Sequence, residues 1–398
     1  MQKLTRAFRA DSAFKVFFLS MITFGLAYGL YKGVIDNYLA EIIAMDSFDK
    51  GVSEFFRELP GLLLVFILAA LYTFSAERLY KLGAAIMLAG MAMQTVLPAG
   101  RVWVILAIFV FSLGDHIQLG MRSTLTLEYA QEGRGGAALG LTNAVHQIGT
   151  LAGYLVVIAV FLFVKPSEGV YRIVFAASTA VILAGCAASM TLKGRSETDA
   201  TRRRFYFRKK YMKYYMLEVF YGARKQIFLT FGPYVLVLQY GASAMVLSML
   251  FAVTSVCGFL LSPVVGRIID RFGYKIVMIT DTLILVIVCF FYGFAHHIFP
   301  MPVAFVVCCL NYVLDSIISL ASMASNVYVQ DLSDGPDEVR ATISTGVSVN
   351  HMITILIALT GGWIWQALGV ETLFVLSALL GLCNSAYAAT IRTGKATR

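Results

Sequence analysis

Long apolar runs separated by short polar stretches fill the chain from residue 14 to residue 391. A helix that crosses a bilayer needs roughly 20 consecutive, mostly apolar residues. The runs predict twelve such spans, at 14–42, 52–74, 82–98, 102–128, 136–163, 169–191, 211–238, 243–266, 275–295, 301–328, 341–366 and 371–391. The first is too long for a cleavable signal peptide, lacks a small-residue cleavage site and continues through Asp36 and Asn37. Most connections are short. The exception, 193–210, divides the chain into an N-terminal bundle (1–192), a basic linker and a C-terminal bundle (211–398), each bundle with six spans.

Composition agrees with this pattern. Of the 398 residues 59% are hydrophobic and 14% charged, against roughly 25% charged in a soluble domain. Such a chain cannot coat itself with polar residues, so a soluble enzyme is excluded, as is a disordered polymer. The expected class is an all-α membrane protein. The six cysteines, Cys186, Cys257, Cys289, Cys308, Cys309 and Cys383, all lie in apolar runs without the paired spacing of a zinc or redox site. There is no phosphate-binding G-x-x-x-x-G-K-[ST] loop. No cofactor or metal is expected, and the chain reads as a monomer in the lipid bilayer.

Loop charge orients the spans. With the N-terminus in the cytoplasm, the inner segments collect Lys3, Arg6, Arg9, Lys15, Arg78, Lys81, Arg134, the basic 193–210 linker, Arg267, Arg271, Lys275, Arg340, Arg392, Lys395 and Arg398. The outer loops hold only Lys50, Arg101, Lys165 and Arg172. Both termini are therefore expected to be cytoplasmic, in a bacterial inner membrane. The net charge of +9 is mostly this topology signal. The basic run at 202–210 suits anionic lipid better than nucleic acid.

The halves repeat one another. Shifted by 193 residues, Tyr28-Gly29-x-x-Lys32 falls on Tyr221-Gly222-x-x-Lys225, and Glu77-Arg78 on Asp270-Arg271. With slightly larger offsets Asp115 meets Asp315, and Arg134-x5-Gly140 meets Arg340-x5-Gly346. Two parallel six-span repeats are one transporter signature. The segment Gly266-Arg-Ile-Ile-Asp270-Arg271-Phe-Gly273-Tyr-Lys275 resembles the G-x-x-x-D-R-x-G-x-[KR] loop of the major facilitator superfamily. Its first-half counterpart, Ser75-Ala-Glu77-Arg78-Leu-Tyr80-Lys81, has Tyr80 in the place of the glycine. The resemblance implies two pseudo-symmetric six-helix bundles with a site between them. It also makes Glu77, Arg78, Asp270, Arg271 and Lys275 a gating loop.

A charge at mid-bilayer costs at least roughly 2.5–3.5 kcal/mol and so marks a functional position. Seven stand out: Lys32 in span 1, Asp115 and Arg122 in span 4, Glu218, Arg224 and Lys225 in span 7, and Asp315 in span 10. In the resembled fold these four spans line the central cavity. Spans 3, 6, 9 and 12 would face lipid, with only Asp281 as an exception near the start of span 9. Helical spacing groups Tyr28, Lys32 and Asp36 on one stripe, and Glu218, Tyr221 and Lys225 on another.

Candidate substrate contacts are Tyr28, Lys32, Gln118, Arg122, Tyr221, Arg224, Lys225 and Tyr312. A cation from each half could grip an anion. Alternatively Lys32 pairs with Asp36, and Lys225 with Glu218, only to neutralise each other. Asp115, Asp315, Glu218, His146 and His351 are candidates for proton coupling or for an inter-domain salt bridge. His116 points away from Asp115, and His296-His297 reads as solvated.

The expected function is secondary transport of a small organic anion or zwitterion by rocking-switch alternating access, with protons as the default coupling ion or with substrate exchange. Alternatives are proton-driven efflux of cationic drugs and movement of lipid or lysolipid. An intramembrane hydrolase has no G-x-S-x-G elbow or H-E-x-x-H helix to support it.

Overall fold

A computed structural model of the chain describes residues 7–8, 12–131, 134–192 and 207–391, without the side chains of Ser12, Ala13, Val65, Pro336, Asp337 and Arg340. The linker charges up to residue 206, the terminal cations Lys3, Arg6, Arg9, Arg392, Lys395 and Arg398, and the Arg340 side chain therefore lie outside the described residues.

The apolar runs become helices because no backbone polar group can be left unpaired in hydrocarbon. They are α1 (Ser12–Glu41), α2 (Ser47–Ala70), α3 (Ala76–Val96), α4 (Arg101–Tyr129), α5 (Gly135–Phe163), α6 (Glu168–Met190), α7 (Met212–Tyr240), α8 (Ala244–Phe272), α9 (Tyr274–Ile298), α10 (Met301–Ile318), α11 (Met323–Leu332), α12 (Pro336–Leu368) and α13 (Val370–Ala389). A 3-10 turn, Ser319–Ser322, joins α10 to α11, so the tenth span is not a single α-helix throughout. Among the described residues ten segments are long and apolar enough to cross a membrane; α2 and α7, both charge-bearing, are not among the ten.

The start of α2 corrects the sequence reading. Lys50, expected in an outer loop, is inside the helix with a side chain only 2% exposed. The polar residues Asp46, Asp49 and Lys50 set the predicted start at residue 52.

The chain divides into two compact units. One comprises Met1–Ala44, Leu59–Arg202 and Ser243–Ala252; the other comprises Met45–Glu58, Arg203–Ala242 and Val253–Arg398. In the first, α1 packs on α5 and α6, and α3 on α4 and α6. In the second, α7 packs on α12 and α13, and α9 on α10 and α13. Each unit thus repeats the same set of neighbours.

Glycine sets the spacing of the α1–α5 pair. A Cβ at Gly29 would lie 2.2 Å from the Thr150 carbonyl oxygen, and one at Gly153 would lie 2.5 Å from that of Leu26. Both obstacles are backbone, so neither can swing aside. Gly29→Ala is expected to destabilise the protein by about 1–3 kcal/mol, read as a lower melting temperature. Gly140→Ala, on the same α5 but with nothing within 4 Å of its Cβ, should not lower it.

Candidate functional site

Glu218, Tyr221 and Lys225 are three and four residues apart, so they share a face of α7. That face lines a cavity of about 370 Å3, within the range of small-molecule sites. All its lining residues belong to the second unit, with Glu58 of α2, Ser322 at the end of the 3-10 turn and Ser325 just past it, and Asn350, His351 and Thr354 of α12 facing α7.

Lys225 is exposed in this cavity and makes no ion pair within 4 Å among the described residues; its ammonium lies 5.9 Å from the Tyr221 ring centroid. Glu218 is not its ion-pair partner. Ser325 donates to Glu218 Oε1 at 3.0 Å, and Asn350 donates to Oε2 at 3.3 Å. The acid is thus held by two neutral donors and the cation is left facing the cavity. The Tyr221 hydroxyl donates at 2.8 Å to the carbonyl of Ser319, the first residue of the 3-10 turn.

A second carboxylate enters from α2. His351 Nδ1 lies 2.9 Å from Glu58 Oε2, and the other Glu58 oxygen accepts from Arg57. Arg57 also bonds Glu54, which pairs with Lys50 at 2.7 Å. Lys50, Glu54 and Glu58 are nearly fully buried. This alternating ladder compensates each buried charge with an opposite one, the condition under which burial is tolerated. Sequence reading placed His351 but missed Glu54, Arg57 and Glu58. Their signal was present, three charges inside the predicted second span, but they sit near its end and were not counted as mid-membrane.

Arg224 is adjacent to Lys225 and projects about 100° away, so it meets different surroundings. It pairs with Asp281 of α9 at 2.7 Å, the two side chains being 3% and 7% exposed. Its guanidinium also covers the Tyr221 ring at 4.9 Å. Arg224 does not line the cavity. Asp281, read as an exception on a lipid-facing span, is instead its buried partner. Asp315 is buried in α10 within the electrostatic reach of Arg224, Lys225 and Asp281, and like Tyr312 it lies outside the cavity lining. The Tyr312 ring packs beside Gly232 of α7.

In the first unit Lys32 donates to Asp36 at 2.9 Å, one turn along α1, and its ammonium lies 5.3 Å from the Phe251 ring centroid. That is the neutralising pair weighed from the sequence. Arg122 is half-buried within electrostatic reach of Asp115, two turns back, and of Tyr80 and His146. Gln118 is buried with Nε2 lacking a partner among the described residues, and Tyr28 is half-buried.

A family model described as Major Facilitator Superfamily matches residues 214–397. Similar solved structures extend the likeness over nearly the whole chain. A mutant form of the nucleoside transporter NupG has a TM-score of 0.74 at 16% identity, covering 96% of this chain and 100% of its own. The D-xylose-proton symporter scores 0.73 at 14% identity, covering 94% and 96%. A mutant peptide transporter POT, in complex with sulfate, scores 0.72 at 13% identity, covering 98% of each chain. No curated protein matches by sequence.

The superfamily's model thus matches just under half of the chain, while the fold of these transporters extends over nearly all of it. The protein is an all-helical, multi-pass integral membrane protein with the fold of those solved transporters.

The superfamily loop is built in both units, with a role for its lysines that sequence did not suggest. Lys275 donates to the carbonyl of Ile391 at 2.9 Å, and Lys81 to that of Leu192 at 2.8 Å. Each lysine, at the start of the third helix of its unit, thus satisfies a carbonyl just past the end of the sixth, where helix carbonyls lack partners. Gly273 takes φ +83 and lets α8 turn directly into α9. In the first half Tyr80 is helical and fully buried, with its hydroxyl 3.0 Å from Ser20 Oγ. Glu77 pairs with Lys81, while Arg78, Asp270 and Arg271 are exposed. Asp270 has no ion pair among the described residues, so the latch that the resemblance implies is not formed by them.

Proposed function

We propose that the protein is a secondary transporter for a small organic anion or zwitterion, working by alternating access, with the cavity along α7 as a principal part of its substrate site. The observation that carries this is Lys225, a cation exposed in a polar cavity without an ion pair among the described residues, while the cavity acids Glu58 and Glu218 are held by other groups. An anionic group would supply the counter-charge. Glu218, held only by neutral donors, accommodates either protonation state, and a zwitterion's ammonium could approach it. Tyr214, Tyr221 and Asn326 add polar and aromatic wall. The charge balance disfavours cationic drugs, because both cavity acids, Glu58 and Glu218, are engaged.

Counterflow in proteoliposomes tests the function: labelled substrate should enter faster when unlabelled substrate is trapped on the other side. A passive pore would show no such stimulation.

We further propose that Glu218 and His351 carry coupling protons, a reading supported by their position in the cavity and by the fold's likeness to a D-xylose-proton symporter. Glu218→Gln is then expected to retain counterflow but lose the response of net uptake to an imposed pH gradient. Uptake that still follows the gradient in this variant would assign coupling elsewhere. The inner-membrane location and cytoplasmic termini read from loop charge are part of the same proposal.

A further inference from the structure

At the opposite end of α9 from the superfamily loop, His296 and His297 occupy the last helical turn. Successive helical residues diverge by about 100°, yet both rings turn to one atom. His296 Nε2 lies 3.1 Å and His297 Nε2 lies 2.7 Å from the same Glu371 Oε1, with the ring centroids 3.9 Å apart. Glu371 stands in the first turn of α13. The three ligand atoms all fall within 4.8 Å of one another.

Two further features serve this cluster. Gly369 has φ +91, and a Cβ there would lie 2.5 Å from Glu371 Oε2, so the chain keeps room for the carboxylate with a residue that has no side chain. The other nitrogen of His296, Nδ1, is buried without a hydrogen-bond partner among the described residues, so that ring engages the fold only through the nitrogen aimed at Glu371.

We propose that His296, His297 and Glu371 form a binding site for a divalent transition metal, zinc foremost. Two imidazole nitrogens and one carboxylate oxygen are the donor set of an open zinc site, which leaves a position for water. Tetrahedral ligands at zinc bond lengths are about 3.3 Å apart, close to the 3.1 and 2.7 Å that separate the histidine nitrogens from Glu371 Oε1. The donor set favours zinc, nickel or copper over magnesium and calcium, which prefer all-oxygen shells. The His297 side chain is 58% exposed, giving an ion access from outside the fold. A bound ion would tie the end of α9 to the start of α13.

The test uses the full-length, untagged protein in detergent, equilibrated with micromolar zinc chloride, desalted and assayed for metal by mass spectrometry. Wild type is expected to retain a single zinc ion per chain and to melt at a higher temperature with zinc than with magnesium. His297→Ala and Glu371→Gln, each checked for the elution profile of wild type, are expected to lose both the ion and the shift. Lys225→Ala, far along the sequence, should keep both. A wild type that retains no zinc, or variants that retain as much as wild type, would overturn the site. Because the readout is metal content and melting, failure here leaves the transport proposal standing.

Discussion

Lys225→Ala is expected to abolish uptake by a protein that still folds and inserts. The side chain lines the cavity, is exposed and makes no ion pair among the described residues, so its removal breaks no direct contact to a buried acid. What is lost is a charge-assisted contact to substrate, worth about 1.5–3 kcal/mol, or about 10- to 150-fold in affinity. Lys225→Arg keeps the charge and is expected to retain part of the binding, though a planar guanidinium presents it differently. The melting temperature without substrate should stay near that of wild type in both variants. Normal uptake by the alanine variant, measured in proteoliposomes at matched protein content, would remove the anion from the account.

Asp281→Ala should have the opposite signature, a loss of stability before any effect on substrate. It leaves the Arg224 guanidinium, 3% exposed, without its carboxylate. Removing one member of a buried pair typically costs about 3–5 kcal/mol, since the remaining charge is desolvated and unpaired. Replacing both, as in Arg224→Met with Asp281→Leu, removes the unpaired charge along with the pair and is expected to recover most of the loss. The comparison is a double-mutant cycle read by thermal melting. If the double variant is no better than the sum of the single ones, the pair is not the structural tie between α7 and α9 described above.

The adjacent pair Arg224-Lys225 shows how far the sequence could be read. Both cations were visible as costly charges in one apolar span, and the span itself was legible from its length. Which of them faces the cavity depends on what packs against the other, and Asp281 is 57 residues away from Arg224 on another helix. Helical spacing puts the two on different faces of α7 but does not say which face meets the cavity. The Glu58–His351 contact is harder still, spanning 293 residues. Helical period does place Glu218, Tyr221 and Lys225 on one face, and these do share the cavity. The 3-10 turn at Ser319–Ser322 was hidden because its residues continue the apolar run. The histidine pair reads as solvated in the sequence because its partner, Glu371, lies beyond two further spans.

The central claim is that an anionic group binds against Lys225. It is tested most directly by thermal shift of purified wild type and the Lys225→Ala variant, side by side, over a panel of carboxylates, amino acids, neutral sugars, nucleosides and organic amines, since a ligand stabilises the state it binds. The account predicts that at least one carboxylate or amino acid raises the melting temperature of wild type and leaves the variant unmoved. Stabilisation by neutral or cationic compounds alone, or an equal shift in both proteins, would contradict it.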